Sequence, residues 1–209
     1  MRKMQWVGWI TMAVLAVLIG LYPFRYLIFD WHIGLPQTKS AELLASIAWR
    51  IGFFTHILIG GIALLIGWAQ FNPNWRIKYP KRHRQIGMVY MICVLLSGTA
   101  ACGIALAATG GLPSMLGFLG LGIVWLATTV MAFQAARRGD FIRHQDLMTY
   151  SYACCLGAVT LRIWMPILIP FLGFNTAYPI IAWISWVPNL IVAWWIIRER
   201  GTASATLST

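Results

Sequence analysis

Six long apolar stretches divide this chain of 209 residues, and short polar or charged segments separate them. A helix needs about 20 consecutive apolar residues to cross the hydrocarbon core of a bilayer. The stretches that meet this length are residues 6–29, 42–70, 85–108, 115–134, 147–171 and 177–197. The pattern therefore predicts an all-α, polytopic integral membrane protein, built as a bundle of six transmembrane helices.

The charge of the loops gives these predicted spans a direction. Lys and Arg residues precede the first span, follow the sixth, and fill the loops between spans two and three and between spans four and five. The remaining loops hold Lys39 alone. Cytoplasmic loops carry the excess of Lys and Arg in membrane proteins. We therefore expect both termini in the cytoplasm, and an even number of spans agrees with both termini being on one side.

Composition excludes a soluble globular domain, because 60% of the residues are hydrophobic and 10% are charged. The net charge of +11 collects at span ends, as a topology signal does, so we expect no nucleic-acid partner. Six spans and their connections use nearly the whole chain. We expect one transmembrane domain over residues 1–209, embedded in the lipid bilayer. We also expect a disordered tail at 201–209. Oligomerisation stays open.

Two histidines lie where spans three and five begin, at the predicted cytoplasmic side. His83 and His144 should therefore have similar depth, and Gly87 follows His83 on the same helical face. Two histidines from different helices can hold a haem iron axially, and a glycine leaves room for the flat macrocycle. The sequence thus marks His83 and His144 as candidate ligands of haem b. The alternative is that these side chains cap or snorkel at the interface.

His56 lies deeper than this pair, about 21 Å from the basic end of span two at 1.5 Å per residue. Other predicted spans offer no histidine at that depth. His56 is a candidate single haem ligand, proton relay or quinone hydrogen-bond partner. Alternatively, it hydrogen-bonds a serine, a threonine or a kinked backbone carbonyl.

Three arginines lie in the outer halves of the predicted spans: Arg25, Arg50 and Arg162. No acidic residue inside a predicted span could neutralise them. Three cations facing one another repel unless an anion or water neutralises them, so the sequence predicts an outward-facing pocket for a small anion. In the alternative interpretation, Arg25 pairs with Asp30, Arg50 pairs with Glu42, and Arg162 binds carbonyls released by Pro166.

Ordered motifs over about residues 50–165 resemble a family of bacterial predicted membrane proteins that carries only a domain-of-unknown-function label. The matching residues are His56-Ile57-x-x-Gly60-x-x-Ala63-Leu64-Leu65-x-Gly67-x-x-Gln70, His83-Arg84-x-x-Gly87-x-x-Tyr90, and Gly139-Asp140-x-x-x-His144-x-x-Leu147-Met148 with Tyr152, Ala153 and Arg162. The resemblance implies a multi-pass protein of the bacterial cytoplasmic (inner) membrane. It implies no activity.

More distantly, histidines on several helices of a six-helix bundle are similar to the cytochrome b561 and ferric-reductase group. That group holds two b haems through four histidines, whereas His32 of this chain lies in an outer loop. The resemblance therefore implies at most one such haem site here.

Three functional hypotheses follow, and the sequence leaves open whether the protein is an enzyme. The first, slightly favoured, is a small b-type haem redox protein, with His83 and His144 as ligands and His56 near a quinone. The second is an anion- and proton-linked transporter or sensor that uses His56 and the three arginines. The third is a structural or assembly subunit that needs neither site.

Overall fold

The computed structural model describes residues 3–29, 31–32 and 34–206, so Arg2, Asp30 and the last three residues of the expected tail lie outside it. Six helical segments of the described chain are long and apolar enough to cross a membrane. They are Trp6–Ile28, Ile47–Phe71, Pro80–Ala105, Gly111–Arg137, Phe141–Leu172 and Phe174–Gly201, and we number them spans one to six. The predicted all-α, six-span architecture is confirmed.

The first two spans are each built from several helical pieces. Span one consists of α1 (Lys3–Leu21), a 3₁₀ turn (Tyr22–Phe24) and α2 (Arg25–Ile28). A loop at the end opposite the basic segments follows, here called the outer loop, with a 3₁₀ turn (Leu35–Thr38) and α3 (Ala41–Ala45). Span two consists of α4 (Ile47–Phe54), a π-helical turn (Thr55–Ile59), α5 (Gly60–Gly67) and a 3₁₀ turn (Trp68–Phe71).

The other four spans are more regular. Their helices, with the short α6 that precedes them, are α6 (Pro73–Lys78), α7 (Pro80–Ala105), α8 (Gly111–Arg137), α9 (Phe141–Cys155), α10 (Gly157–Leu172), α11 (Phe174–Ile184) and α12 (Val187–Thr206). Spans five and six each join two helices. Where the sequence predicts a tail from residue 201, α12 continues to Thr206.

Several helices begin at caps that hydropathy alone does not detect. The predicted span 42–70 is interrupted at Ser46, whose side chain accepts a hydrogen bond from the Trp49 N–H and so starts α4. At the basic end, Pro80 opens α7, and the Asp140 side chain caps α9 by accepting from the Arg143 N–H. Spans three and five therefore begin five and six residues earlier than predicted, about one and a half turns, and His83 and His144 lie inside helices.

Glycines bring two helices into backbone contact. A Cβ at Gly61 of α5 would lie 2.8 Å from the carbonyl oxygen of Gly20 in α1. No larger residue fits there without moving one helix, and such close approach is how helices pack in lipid, where hydrophobic burial drives little association. This contact fixes span one against span two.

A buried hydrogen-bond network joins spans three, four and five near the middle of the bundle. The Ser151 hydroxyl lies 2.9 Å from the Tyr90 hydroxyl and 2.7 Å from that of Thr129, and the Trp125 indole N–H donates to Tyr90 over 3.3 Å. All four side chains are buried. Hydrogen bonds inside a membrane contribute about 0.6 kcal/mol each on average, so the network orients these helices as much as it stabilises them.

Candidate functional site

A cavity of about 220 Å³ lies inside the bundle, and residues from all six spans and the outer loop line it. It extends from Lys39 and Ala108 at the end opposite the basic loops to Trp125 and Cys155 near the centre. Eight of its lining residues are Gly or Ala, so little side-chain volume fills the space. The cavity is smaller than the roughly 300 Å³ at which ordinary ligand pockets start, which favours a small ligand.

His56 lines this cavity from the π-helical turn of span two, and Ser97 of α7 holds its ring. His56 Nδ1 lies 3.1 Å from the Ser97 hydroxyl oxygen and 3.2 Å from the Ser97 carbonyl oxygen. The Ser97 hydroxyl in turn donates to the His56 carbonyl oxygen over 2.9 Å. π-Helical turns of this kind occur frequently at functional sites.

These contacts determine which nitrogen of the neutral His56 ring carries the hydrogen. The Ser97 hydroxyl has given its only hydrogen to the His56 carbonyl, and the Ser97 carbonyl has none, so both partners of Nδ1 accept. Nδ1 must therefore donate, and Nε2 carries the lone pair. The expected serine hydrogen bond thus occupies one ring nitrogen. Within the described chain, Nε2 has no hydrogen-bond partner and is left for a ligand.

Arg162 lines the cavity from α10, and aromatic and backbone groups hold its guanidinium. Its Nη1 donates to the Ala158 carbonyl over 2.9 Å, and its Cζ lies 4.7 Å from the centroid of the Tyr22 ring. The carbonyl acceptor is the one a turn before Arg162, not one released by Pro166. No Asp or Glu of the described chain lines the cavity. Arg162 therefore places a positive charge on the wall that no lining carboxylate neutralises.

Lys39 adds a second cation at the outer end of the cavity. Its Nζ donates to the Ala107 carbonyl over 2.6 Å and to the Thr109 hydroxyl over 2.9 Å, which ties the outer loop to the turn between α7 and α8. Burial lowers the pKa of this amine. Lys39 was not among the site residues predicted from sequence, although it is the one basic residue of the outer loops.

The structure brings together only two of the three candidate arginines. Arg25 donates from Nη1 to the Tyr22 hydroxyl over 2.7 Å, and its Cζ lies 4.9 Å from the centroid of the ring that Arg162 also contacts. Its predicted partner Asp30 lies outside the described residues. Arg50 is not on the cavity wall, and it makes no salt bridge with Glu42 within the described chain.

The two candidate haem ligands both lie at the basic end, away from the cavity. His144 Nδ1 lies 2.9 Å from the Ala132 carbonyl oxygen, which can only accept, so Nδ1 donates and Nε2 carries the lone pair. His83 Nδ1 is buried and has no partner among the described residues, and the rings lie within electrostatic range of each other. A Cβ at Gly87 would meet no atom within 4 Å, so this face is open.

Comparison with known proteins now adds a family. Residues 53–197 match the model of a family described as "Predicted membrane protein (DUF2306)". The chain belongs to this family. The matched region of this DUF2306 protein contains His56, His83, His144 and Arg162, whereas Lys39 and Arg25 precede it. No curated protein and no solved structure matches the chain.

Proposed function

We propose that this multi-pass membrane protein binds a small anion in the cavity, as the recognition step of a transporter or sensor in the bacterial cytoplasmic membrane. One observation carries the proposal: the Arg162 guanidinium lies on the wall of a cavity that no described carboxylate lines. An uncompensated charge inside a membrane is costly and marks a functional site by default.

The contacts of Arg162 leave room for such a ligand. A guanidinium has five N–H donors, and one of them is used by the Ala158 carbonyl. The ring of Tyr22 stabilises the charge without consuming donors. Arg162 therefore keeps the paired N–H groups that bind a carboxylate or a similar planar anion at two points.

Lys39 contributes from the outer end. An ammonium has three N–H donors, and two of them hold the Ala107 carbonyl and the Thr109 hydroxyl. The third remains for an anion that enters from that side. Both cations attract an anion, and in the low-dielectric cavity each attracts it more strongly than it would in water.

Ligand-induced stabilisation tests the proposal. Purified protein in zwitterionic nanodiscs is heated with increasing formate, acetate or nitrate at constant ionic strength, with gluconate as the bulky filler anion. A specifically bound anion stabilises the folded protein by RT ln(1 + [L]/Kd), so the melting temperature rises with the logarithm of the anion concentration above Kd, with about 2.7 kcal/mol of stabilisation at 100 times Kd. Absence of a rise beyond that in gluconate, with all three anions and the unmodified protein, would overturn the proposal.

Three variants locate the site. Arg162→Gln should abolish the anion-dependent rise in melting temperature, and Arg162→Lys should retain part of it, which also shows that the position tolerates substitution. Arg50→Gln is the matched control, because Arg50 is also an outer-half arginine but does not line the cavity. An equal loss in Arg50→Gln would place binding elsewhere.

A second candidate function, b-type haem redox chemistry at His83 and His144, rests on a different observation. Metal-binding histidines nearly always donate their second ring N–H to a carbonyl or carboxylate, as His144 does to Ala132. The open space at Gly87 leaves room for the macrocycle beside His83, whose own Nδ1 is buried without such an acceptor. Bound haem would supply one-electron chemistry.

Absorption spectroscopy tests this candidate. Protein expressed with ample haem should show a Soret band and sharp reduced α and β bands, and both should vanish in His83→Ala and His144→Ala. A colourless protein would refute the haem site and leave the anion site untouched.

A further inference from the structure

We propose that the cavity binds the anion of a weak acid together with one proton, which lies between His56 Nε2 and an oxygen of the anion. This inference rests on the proposed anion site and names its ligand class. The observation behind it is the fixed hydrogen of the neutral His56 ring: Nδ1 donates to Ser97, so the nitrogen left for the ligand is an acceptor.

An acceptor on the wall of an anion site creates a conflict that a proton resolves. An anion oxygen and a bare imidazole nitrogen both present lone pairs, so they repel at hydrogen-bond distance. A proton between them converts the contact into a charge-assisted hydrogen bond, whether the proton is bonded to the imidazole nitrogen or to the anion oxygen. No covalent bond forms, and the proton comes from solution with the anion.

Ser97 makes this arrangement difficult to avoid. The neutral ring would have to move its hydrogen from Nδ1 to Nε2 in order to donate to an anion. Nδ1 would then face the Ser97 carbonyl oxygen at 3.2 Å with two lone pairs opposed. The Ser97 hydroxyl cannot relieve this contact while it donates to the His56 carbonyl. The proton needed by the ligand must therefore be an additional one.

Arg162 explains why the proton should arrive with the anion. His56 and Arg162 line one cavity, and a second positive charge beside an uncompensated guanidinium is unfavourable. A bound anion neutralises Arg162 and makes the protonated pair favourable. The other titratable side chains that line the cavity are Lys39, Cys154, Cys155 and Tyr178. Of the elements packed on the π-helical turn, the 3₁₀ turn of span one carries Tyr22, and α4 and α7 carry Arg50 and Cys102, none of which lines the cavity.

Calorimetry measures the proton directly. Acetate and formate are titrated into the protein in nanodiscs at pH 8, in buffers that differ in their enthalpy of ionisation. An ordinary imidazole, with a pKa of about 6.5, and a free carboxylic acid are both deprotonated there. We expect uptake of about one proton per anion. By linkage, the affinity then falls about tenfold for each unit of rising pH, which the unmodified protein alone can show.

Substitutions assign the proton to His56. His56→Gln presents an amide N–H₂ that can donate without a proton from solution, so the uptake should fall to near zero while binding persists. His32→Gln, in the outer loop, should keep full uptake. Lys39→Gln should keep the pH slope, which excludes titration of the lysine as its source.

The outcomes separate this inference from the anion site on which it rests. Binding of acetate and formate without proton uptake overturns this inference alone. Full uptake in His56→Gln also overturns it, because the proton then binds elsewhere. Failure of every anion to bind the unmodified protein refutes the anion site and this inference with it.

Discussion

Arg25 and Arg162 hold their guanidinium groups against one aromatic ring, that of Tyr22, at 4.9 and 4.7 Å from its centroid. The two cations are therefore within about 10 Å of each other, although 137 positions separate them in the sequence. The electron-rich ring partly offsets their repulsion. Tyr22 thus links span one to the cation on the cavity wall.

Removal of the Tyr22 ring should cost more than removal of its hydroxyl. Tyr22→Phe keeps both cation–π contacts and loses the hydrogen bond from Arg25, for a loss of about 0.5–1.5 kcal/mol. Tyr22→Leu also removes the ring, and each lost contact adds about 0.5–2 kcal/mol. Thermal unfolding in nanodiscs measures which of the two variants is less stable. Equal stability of the two variants would show that the ring does not stabilise the arginines.

The backbone contact between span one and span two should make Gly61 intolerant of substitution. A Cβ at Gly61 meets the Gly20 carbonyl oxygen at 2.8 Å, and neither backbone can yield as a flexible side chain would. We expect Gly61→Ala to lower the free energy of unfolding by about 1–3 kcal/mol.

Gly8→Ala is the matched control for this prediction. A Cβ at Gly8 meets no atom within 4 Å, so alanine there should be neutral or slightly stabilising through its higher helix propensity. If both variants lost stability equally, the close approach of Gly20 and Gly61 would not be the cause.

Two fully buried serines should respond oppositely to alanine. Ser151 hydrogen-bonds Tyr90 and Thr129, whereas the Ser114 hydroxyl is buried without a partner in the described chain. Ser151→Ala should cost about 1 kcal/mol, near 0.6 kcal/mol for each bond lost. Ser114→Ala should be neutral or stabilising, because it removes an unsatisfied polar group. A common loss in chemical-denaturant or thermal unfolding would contradict this reasoning.

Lys39 should make the free energy of unfolding depend on pH in the alkaline range. Burial lowers its pKa in the folded protein below 10.5, so the charged amine is penalised on folding. Between the folded and unfolded pKa values the unfolded chain binds more protons, and stability therefore rises with pH in that window. The neutral amine still has two N–H groups for Ala107 and Thr109.

The comparison that isolates this effect is the unmodified protein against Lys39→Met, which cannot titrate. The stability difference between them should shift in favour of the unmodified protein as the pH approaches 10.5. A difference that stays constant over the alkaline range would show that Lys39 is not buried as described.

The six spans were predictable because the signals that define them are local. Span length and loop charge can be read within about 30 residues, and the errors lie at ends such as Ser46 and Asp140, where a side-chain cap sets the boundary. The pairing of Arg25 with Tyr22 is also local, since three positions separate them on adjoining helical turns.

The cavity was not predictable in the same way. His56 meets Ser97 across 41 positions, and Lys39 meets Ala107 across 68, so no periodicity connects them. Polar residues inside apolar spans drew attention to His56 and Arg162, and the structure places both on the cavity wall. Arg50 has the same sequence signal but does not line the cavity, because the direction of a side chain depends on how each span is rotated.

That rotation has a specific origin in span two. An α-helix advances 100° per residue, and a π-helical turn accommodates one residue more than an α-helical turn does. The turn at Thr55–Ile59 therefore offsets the phase of α4 from that of α5. Winding the same residues as a continuous α-helix would turn Trp49 and Phe53, which also line the cavity, by about 100° around the helix axis relative to α5. Relatives that share the sequence around His56 but continue the α-helix through it would enclose differently shaped chambers.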